Sequence, residues 1–428
     1  MDILTFIEKS PCSFSAVENL KRCLREQGYS EIAENEPWDL AEGGKYFVTR
    51  NGSSLLAFRL PSYGFAGFMI GAAHDESPAY KVKWNSEIKN NGYVQLAVEP
   101  YGGMNAQSWL DRPLSVAGRV LFRHQERLVS RVINIDRDLL IIPSVAVHLN
   151  RKKQEKESLN PAVDMLPLYG MDGDYVDFLE LIAEECNVHP AVIEGFDLFL
   201  YNRMKGSRWG KDGAFVSAPR IDDLACVYSA LLGFLQADTN LDSVPMLAVF
   251  DNEEVGSATK QGACSDFLQN ILRRINLATG GTEEDYFRRI AGSFMVSADN
   301  GHALHPNHPE LSDRNHAPII NGGIVIKHNA AQRYCTDGVS DGMFRILCDE
   351  AGVPYQLYCN RPDITGGSTL GNISNTRVSM NSIDVGLAQL AMHSTYETVG
   401  AKDLESMYKV LRLFFGKCFC EEHGTYNW

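Results

Sequence analysis

The stretch VPMLAVFDNEEVGS (residues 244–257) is a short apolar run that ends abruptly in Asp251, Asn252, Glu253 and Glu254. Adjacent carboxylates repel, so a compact chain gathers three at one strand end mainly where a cation or a reacting proton offsets the repulsion. SFMVSADN (293–300) repeats the arrangement and ends in Asp299. Open α/β sheets place their sites beyond the carboxyl ends of the strands, where such acids would converge. The pattern is that of a metal-dependent hydrolase.

The surrounding sequence sets the frame. With 428 residues, 44% of them hydrophobic, the chain has ample core-forming material and is too long for one typical domain. Its formal charge of −14 and lack of a basic block disfavour a nucleic-acid partner. No apolar run approaches the roughly 20 residues that span a bilayer. The opening MDILTFIEKSPCSF lacks the basic and apolar regions of a secretory leader. Ten scattered cysteines with no C-x-x-C pair fit reduced thiols, and together these features predict a cytoplasmic protein.

Residues 14–28 place Phe14, Val17, Leu20 and Leu24 on one helical face, with a stop near Gly28. SLLAFRL (54–60) and GFMIGAA (67–73) read as strands, the second running into His74. From about residue 86 the segments QLAVEPYGG, RVLFR, RLVSRVINI and LLIIP are short, β-rich and punctuated by Gly and Pro. RKKQEKES (151–158) reads as a solvated loop, with a helix near 173–186 and a strand at FDLFLYN (196–202) after it. Beyond Ile221, helical patterns alternate with strands. The expected fold is therefore α/β, a mixed central sheet flanked by helices. Residues 1–87 and 215–428 form it, and a smaller β-rich domain (88–214) is inserted between them.

Five positions at the edges of apolar runs are candidate metal ligands: His74, Asp222, Glu254, Asp299 and His393. Asp222, just before an apolar helix, has helix capping as an equal alternative. Taken singly, His393 reads as a core histidine and Asp299 as a turn residue. Their coincidence with a tandem-acid motif favours two divalent cations sharing a hydroxide, bridged by Asp222, with Glu253 as proton carrier. All donors are nitrogen or oxygen, so zinc, manganese and cobalt are each acceptable. HALHPNH (302–308) does not have zinc-motif spacing, and Pro306 breaks any helix that would align its histidines. GGSTLG (366–371) lacks the order of a serine nucleophile elbow. Rival readings are a two-metal deacetylase or carboxypeptidase, and a non-catalytic scaffold.

Six segments resemble the aspartyl aminopeptidase family of two-metal aminopeptidases: GAAHDESPAYKVK, DNEEVGSATKQGA, SADNGHALHPNHPE, NGGIVIKHNAAQRYCTDGV, GGSTLGNIS and LAQLAMHS. They fall in order from residue 71 to residue 394. The resemblance implies a zinc-peptidase-like fold whose inserted domain dimerises, and a dodecamer built from dimers. It implies that His74, Asp222 and Asp299 bind one ion and that Asp222, Glu254 and His393 bind the other, with zinc the favoured metal and manganese or cobalt the alternatives. Glu253 becomes the general base. His302, Lys327 and Tyr334 match substrate-pocket positions, with Lys327 suited to N-terminal Asp or Glu; a neutral or aliphatic preference is the alternative. His148 matches a histidine that, in relatives, reaches a neighbouring subunit's site and helps hold the oxyanion. One departure stands out. The family reads His-x-Asp at the first ligand, whereas this chain has His74-Asp75-Glu76. Glu76 is expected to orient His74 in place of the usual aspartate, with Asp75 turned away.

Overall fold

A computed structural model describes residues 1–62, 64–149, 159–173, 177–238 and 242–428. Its centre is a nine-stranded mixed sheet in the order Ser30–Glu31, Lys45–Arg50, Ser54–Arg59, Ser243–Phe250, Gly67–His74, Phe294–Ala298, Asn381–Gly386, Ile324–His328, Tyr355–Cys359. The four strands from Ser243–Phe250 to Asn381–Gly386 run parallel. All four therefore deliver their carboxyl ends to one edge, and Phe250 pairs with His74 there.

The Ser243–Phe250 and Gly67–His74 strands are buried along their whole length, which explains their continuous apolar sequence. Successive residues feed opposite cores, Met69, Ala73, Leu247 and Val249 on one face, Phe68, Ile70, Met246 and Ala248 on the other. Helices Ser13–Glu26, Ile221–Gln236, Gly338–Ala351 and Ala401–Phe414 cover the first face, and Phe267–Ala278 the second. The first of these ends at Gln27, where Gly28 adopts φ +80°, a conformation glycine reaches without cost.

The inserted region forms a separate six-stranded antiparallel sheet: Arg127–Asn134, Leu114–His124, Ile193–Asn202, Ala79–Asn90, Tyr93–Tyr101, Leu168–Met171. It has its own core around Tyr80, Leu96, Val116, Val120 and Leu198, covered by helix Phe178–Glu185. That helix starts later than periodicity suggests because Asp177 caps it, accepting from Leu179 N–H at 2.8 Å. Ladder pairing in this sheet begins at Ala79 and ends at Asn202. The strands Ser207–Trp209 and Phe215–Ala218 join a different sheet, through Glu397–Gly400. RKKQEKES lies outside the described residues.

Candidate metal centre

All five sequence-derived ligands meet at the carboxyl edge of the central sheet. His74 closes its strand, Glu254 follows the Ser243–Phe250 strand, and Asp299 follows Phe294–Ala298. Asp222 sits at the head of helix Ile221–Gln236 but does not cap it. Its backbone is extended (φ −81°, ψ 106°), the Asp222–Asp223 peptide is cis, and the helix has no side-chain cap. Instead its carboxylate divides between two imidazoles: Oδ1 lies 3.6 Å from His74 Nε2, and Oδ2 lies 3.6 Å from His393 Nε2. His393 Nε2 is also 3.2 Å from Glu254 Oε1.

Donor atoms of His74, Asp222 and Asp299 lie within 4.8 Å of one another, as do those of Asp222, Glu254 and His393. Asp222 belongs to both groups. Tetrahedral ligands on a zinc ion at ~2.1 Å stand about 3.4 Å apart, so 3.2–3.6 Å separations leave room for an ion between each pair. The donor set also fits. Asp222 Oδ1 and Glu254 Oε1 are buried without a hydrogen-bond partner, a costly state unless a cation or proton fills it.

Protons fill part of that role in the protein alone. Burial disfavours charge on His393, yet Glu254 and Asp222 outweigh it and lift its pKa to about 10. Burial likewise opposes charge on His74, and Glu76 and Asp222 more than offset it. Glu253 lies within 4.8 Å of His74 and Glu254. Burial, reinforced by Asp299 and Glu254 and opposed by His74, pushes its carboxyl up to about 9. Bound cations would reverse the like-charge contribution and return Glu253 toward its ordinary range.

Local structure aims these groups. Asn252 adopts φ 64°, a left-handed conformation that asparagine tolerates, and so turns the chain into the short 3-10 segment Glu253–Val255. Its Nδ2 donates to Tyr101 Oη of the inserted sheet at 2.8 Å. Gly102 comes next, where a Cβ would meet Glu254 Cβ at 3.1 Å. The inserted region also holds the His393 loop. Asn105 N–H donates to the His393 carbonyl at 2.9 Å, and Thr395 N–H donates to Ser108 Oγ at 2.9 Å.

One positioning residue escaped the sequence reading. Glu397, fully buried, accepts from His393 N–H at 2.7 Å and from Asp222 N–H at 2.9 Å. A single carboxylate thus ties together the backbones of two members of the cluster. The only trace in the sequence is a glutamate four residues after His393.

Glu76 holds the first ligand in two ways. His74 Nδ1 is 3.1 Å from the Glu76 backbone carbonyl and 3.5 Å from its Oε2, and the Glu254 N–H donates to Oε1 at 2.9 Å. The Nδ1–H tautomer this favours leaves Nε2 toward Asp222. Glu76→Gln is therefore expected to weaken metal retention about 10-fold, the low end of the roughly 10–100-fold seen for such partners, because the carbonyl still orients the ring. Release against a chelator measures this. Faster release from Asp75→Asn than from Glu76→Gln would reverse the assignment.

The substrate-side residues are placed less uniformly. Tyr334 is buried, with Lys327 Nζ 5.5 Å from its ring centroid. His302 is exposed, its ring 6.4 Å from that of Tyr358. Lys327 is 2% exposed and its Nζ lies 3.1 Å from Asp299 Oδ1. Sequence spacing gave no sign that this ammonium would find its partner among the ligands. His148 sits in an exposed turn of the inserted region and belongs to none of these donor groups. His305 and His308 are exposed too, and His308 Nδ1 pairs with Glu310 at 3.1 Å.

Residues 6–415 match the family described as "Aminopeptidase I zinc metalloprotease (M18)". The "Probable M18 family aminopeptidase 2" of Clostridium novyi (strain NT) is 41% identical over 423 residues, covering 97% of this chain and 98% of the relative. A chain of the Ape4–Nbr1 complex superimposes with TM-score 0.93 at 34% identity, covering 97% of this chain and 85% of its own. The mApe1 dodecamer of S. cerevisiae gives TM-score 0.84 at 27% identity, with 96% of this chain and 95% of that one covered.

Proposed function

Because the chain belongs to the M18 family of zinc aminopeptidases, we propose that the cluster from His74 to His393 holds two divalent cations and that the protein releases the N-terminal residue of peptides. Zinc is the metal proposed, manganese and cobalt being compatible with the same donors. The observation that carries the reading is Asp222, whose two oxygens each face a different imidazole at 3.6 Å. When bound, a metal pair supplies Lewis acidity and a nucleophilic water at neutral pH. The chain's residues do the rest. The Glu253 carboxylate takes a proton from the attacking water and hands it to the leaving amine nitrogen. Glu397 and Glu76 keep the ligands aimed, and Tyr334 and His302 flank the substrate.

Elemental analysis of the purified protein, with activity measured after chelation and add-back, tests the metal reading. Free and N-terminally blocked peptides separate an aminopeptidase from a carboxypeptidase or deacetylase: only the free amine should be processed. Loading should also release protons. His393, lifted to about 10 in the ion-free protein, carries a proton at pH 7, and His74 is raised in the same direction by Glu76 and Asp222. Cations displace those protons, so apparent metal affinity rises with pH up to about 10, where His393 loses its proton unaided. Calorimetry in two buffers of different ionisation enthalpy reads the released protons; equal heats would contradict the assignment.

Acidic N-terminal residues are the proposed substrates, drawn by the Lys327 cation through charge-assisted contacts. The Lys327–Asp299 pair favours a second reading, neutral or aliphatic residues, since a compensated ammonium attracts less. Cleavage of Asp-, Glu- and Leu-anilides should favour the acids by at least about 10-fold, or ~1.4 kcal/mol. A Leu preference retained in Lys327→Ala supports the second reading instead.

The proposed assembly is a homododecamer built from dimers; a dodecamer is the state named for the S. cerevisiae relative. Exposed Val145, Val147 and Leu149 around His148 offer apolar surface for such contacts. There His148 would enter a neighbouring copy's site and hold the oxyanion. The ten free cysteines suit the cytoplasm, the proposed location. Among the described residues no helix is long and apolar enough to cross a membrane.

A further inference from the structure

A second set of acids stands beside the ligand cluster. Asp75, Glu76 and Asp251 offer carboxylate oxygens that all lie within 4.8 Å of one another, and all three line a cavity of about 370 Å³. Asp75 is 2% exposed, and neither of its carboxylate oxygens has a hydrogen-bond partner. Glu76 commits Oε1 to the Glu254 N–H and leaves Oε2 without a partner beyond the 3.5 Å approach of His74. Asp251 Oδ1 accepts from Asn252 N–H at 2.9 Å.

Four basic side chains line the same cavity; Lys260 is exposed, and the other three are directed elsewhere. Lys81 and Arg119 pair with Asp197 at 2.8 and 2.9 Å, and Arg220 donates to the carbonyls of Ser10 and Ile7 at 3.1 Å each. A buried carboxylate with two vacant oxygens costs several kcal/mol unless a proton or a cation meets it. The spacing selects the kind of charge. Oxygen ligands on one calcium-sized ion at 2.3–2.6 Å stand at most about 5 Å apart, which accommodates this trio. No nitrogen or sulfur donor belongs to the group, unlike the imidazole-rich cluster next to it.

We propose that Asp75, Glu76 and Asp251 form a separate site for a hard divalent cation, held by oxygen donors alone and distinct from the His74–His393 cluster. The ion ties the end of the Gly67–His74 strand to the end of the Ser243–Phe250 strand. Through Glu76 it also bears on the Glu254 backbone. It is a structural ion that steadies two strand ends from which ligands emerge.

The test uses the full-length, zinc-loaded protein and Mn²⁺ as probe, with bound Mn²⁺ read by paramagnetic resonance and zinc by elemental analysis. One Mn²⁺ per subunit should bind without loss of zinc, and Asp75→Asn and Asp251→Asn should each abolish that increment while zinc content stays unchanged. The increment is the readout, so the result does not depend on how many zinc ions the neighbouring cluster holds. Asp75→Asn also removes the unpartnered charge. In Mn²⁺-free buffer it should melt no lower than wild type, and its Tm should no longer rise on adding Mn²⁺. No saturable Mn²⁺ in the wild type, an increment that survives Asp75→Asn, or Mn²⁺ uptake matched by zinc loss would each overturn the proposal.

Discussion

Asp222→Asn is expected to lower turnover by more than about 10³-fold, the upper range for removing one electrostatic stabiliser, and to strip the site of metal as well. The reason lies in its geometry. Each oxygen faces its own imidazole at 3.6 Å, so the amide leaves one of the two positions facing an N–H₂ donor that repels a cation. No other residue belongs to both of the three-residue groups that contain it. Elemental analysis and a melting curve with and without zinc check this. Wild-type protein should gain stability as zinc rises, in proportion to the logarithm of its concentration. The variant should show a much smaller rise. Two full equivalents of zinc retained by Asp222→Asn would contradict the bridging assignment.

Glu253→Gln should behave differently, keeping metal and losing turnover by roughly 10²–10⁴-fold, as expected for a missing general base. Glu253 lies within reach of His74 and Glu254 but outside the two groups centred on Asp222. Glutamine matches its shape and removes only the proton traffic. The pH profile adds a second check. In the ion-free protein burial raises the Glu253 carboxyl to about 9, which would leave it protonated and useless as a base at pH 7. Metal loading must therefore lower that value, and the acidic limb of kcat in the loaded enzyme should fall well below pH 9. The limb should vanish in Glu253→Gln. Near-normal turnover in that variant would refute the role.

Much of this site was legible before any coordinates. Two apolar runs ending in acids and one ending in His74 identified three strand ends, and parallel strands necessarily bring such ends to one edge. His74, Glu254 and Asp299 were therefore readable from pattern alone. Asp222 was not decided by pattern, because capping and ligation ask for the same residue before a helix. Only its extended backbone and the two imidazoles separate them. The pairing of Lys327 with Asp299 was not legible, because it joins positions 28 apart in sequence that only the folded chain brings together. Glu397 carried no chemical signal, as its role is to receive two backbone N–H groups that only the folded chain brings together. The acids Asp75 and Asp251 were visible as letters, but their shared cavity is a property of packing. The alternation of Ala79–Asn90 was hard to read because it is one strand with a register shift between Val82 and Glu87.

The clamp by Glu397 has a consequence for biosynthesis. The groups that make up the centre are scattered from residue 74 to residue 397, and the last of them anchors two of the others. A partly synthesised chain, however well its first two hundred residues fold, has no complete centre with which to cut the unfolded polypeptides around it. The order of residues along the chain thus leaves the cluster incomplete until translation is nearly over.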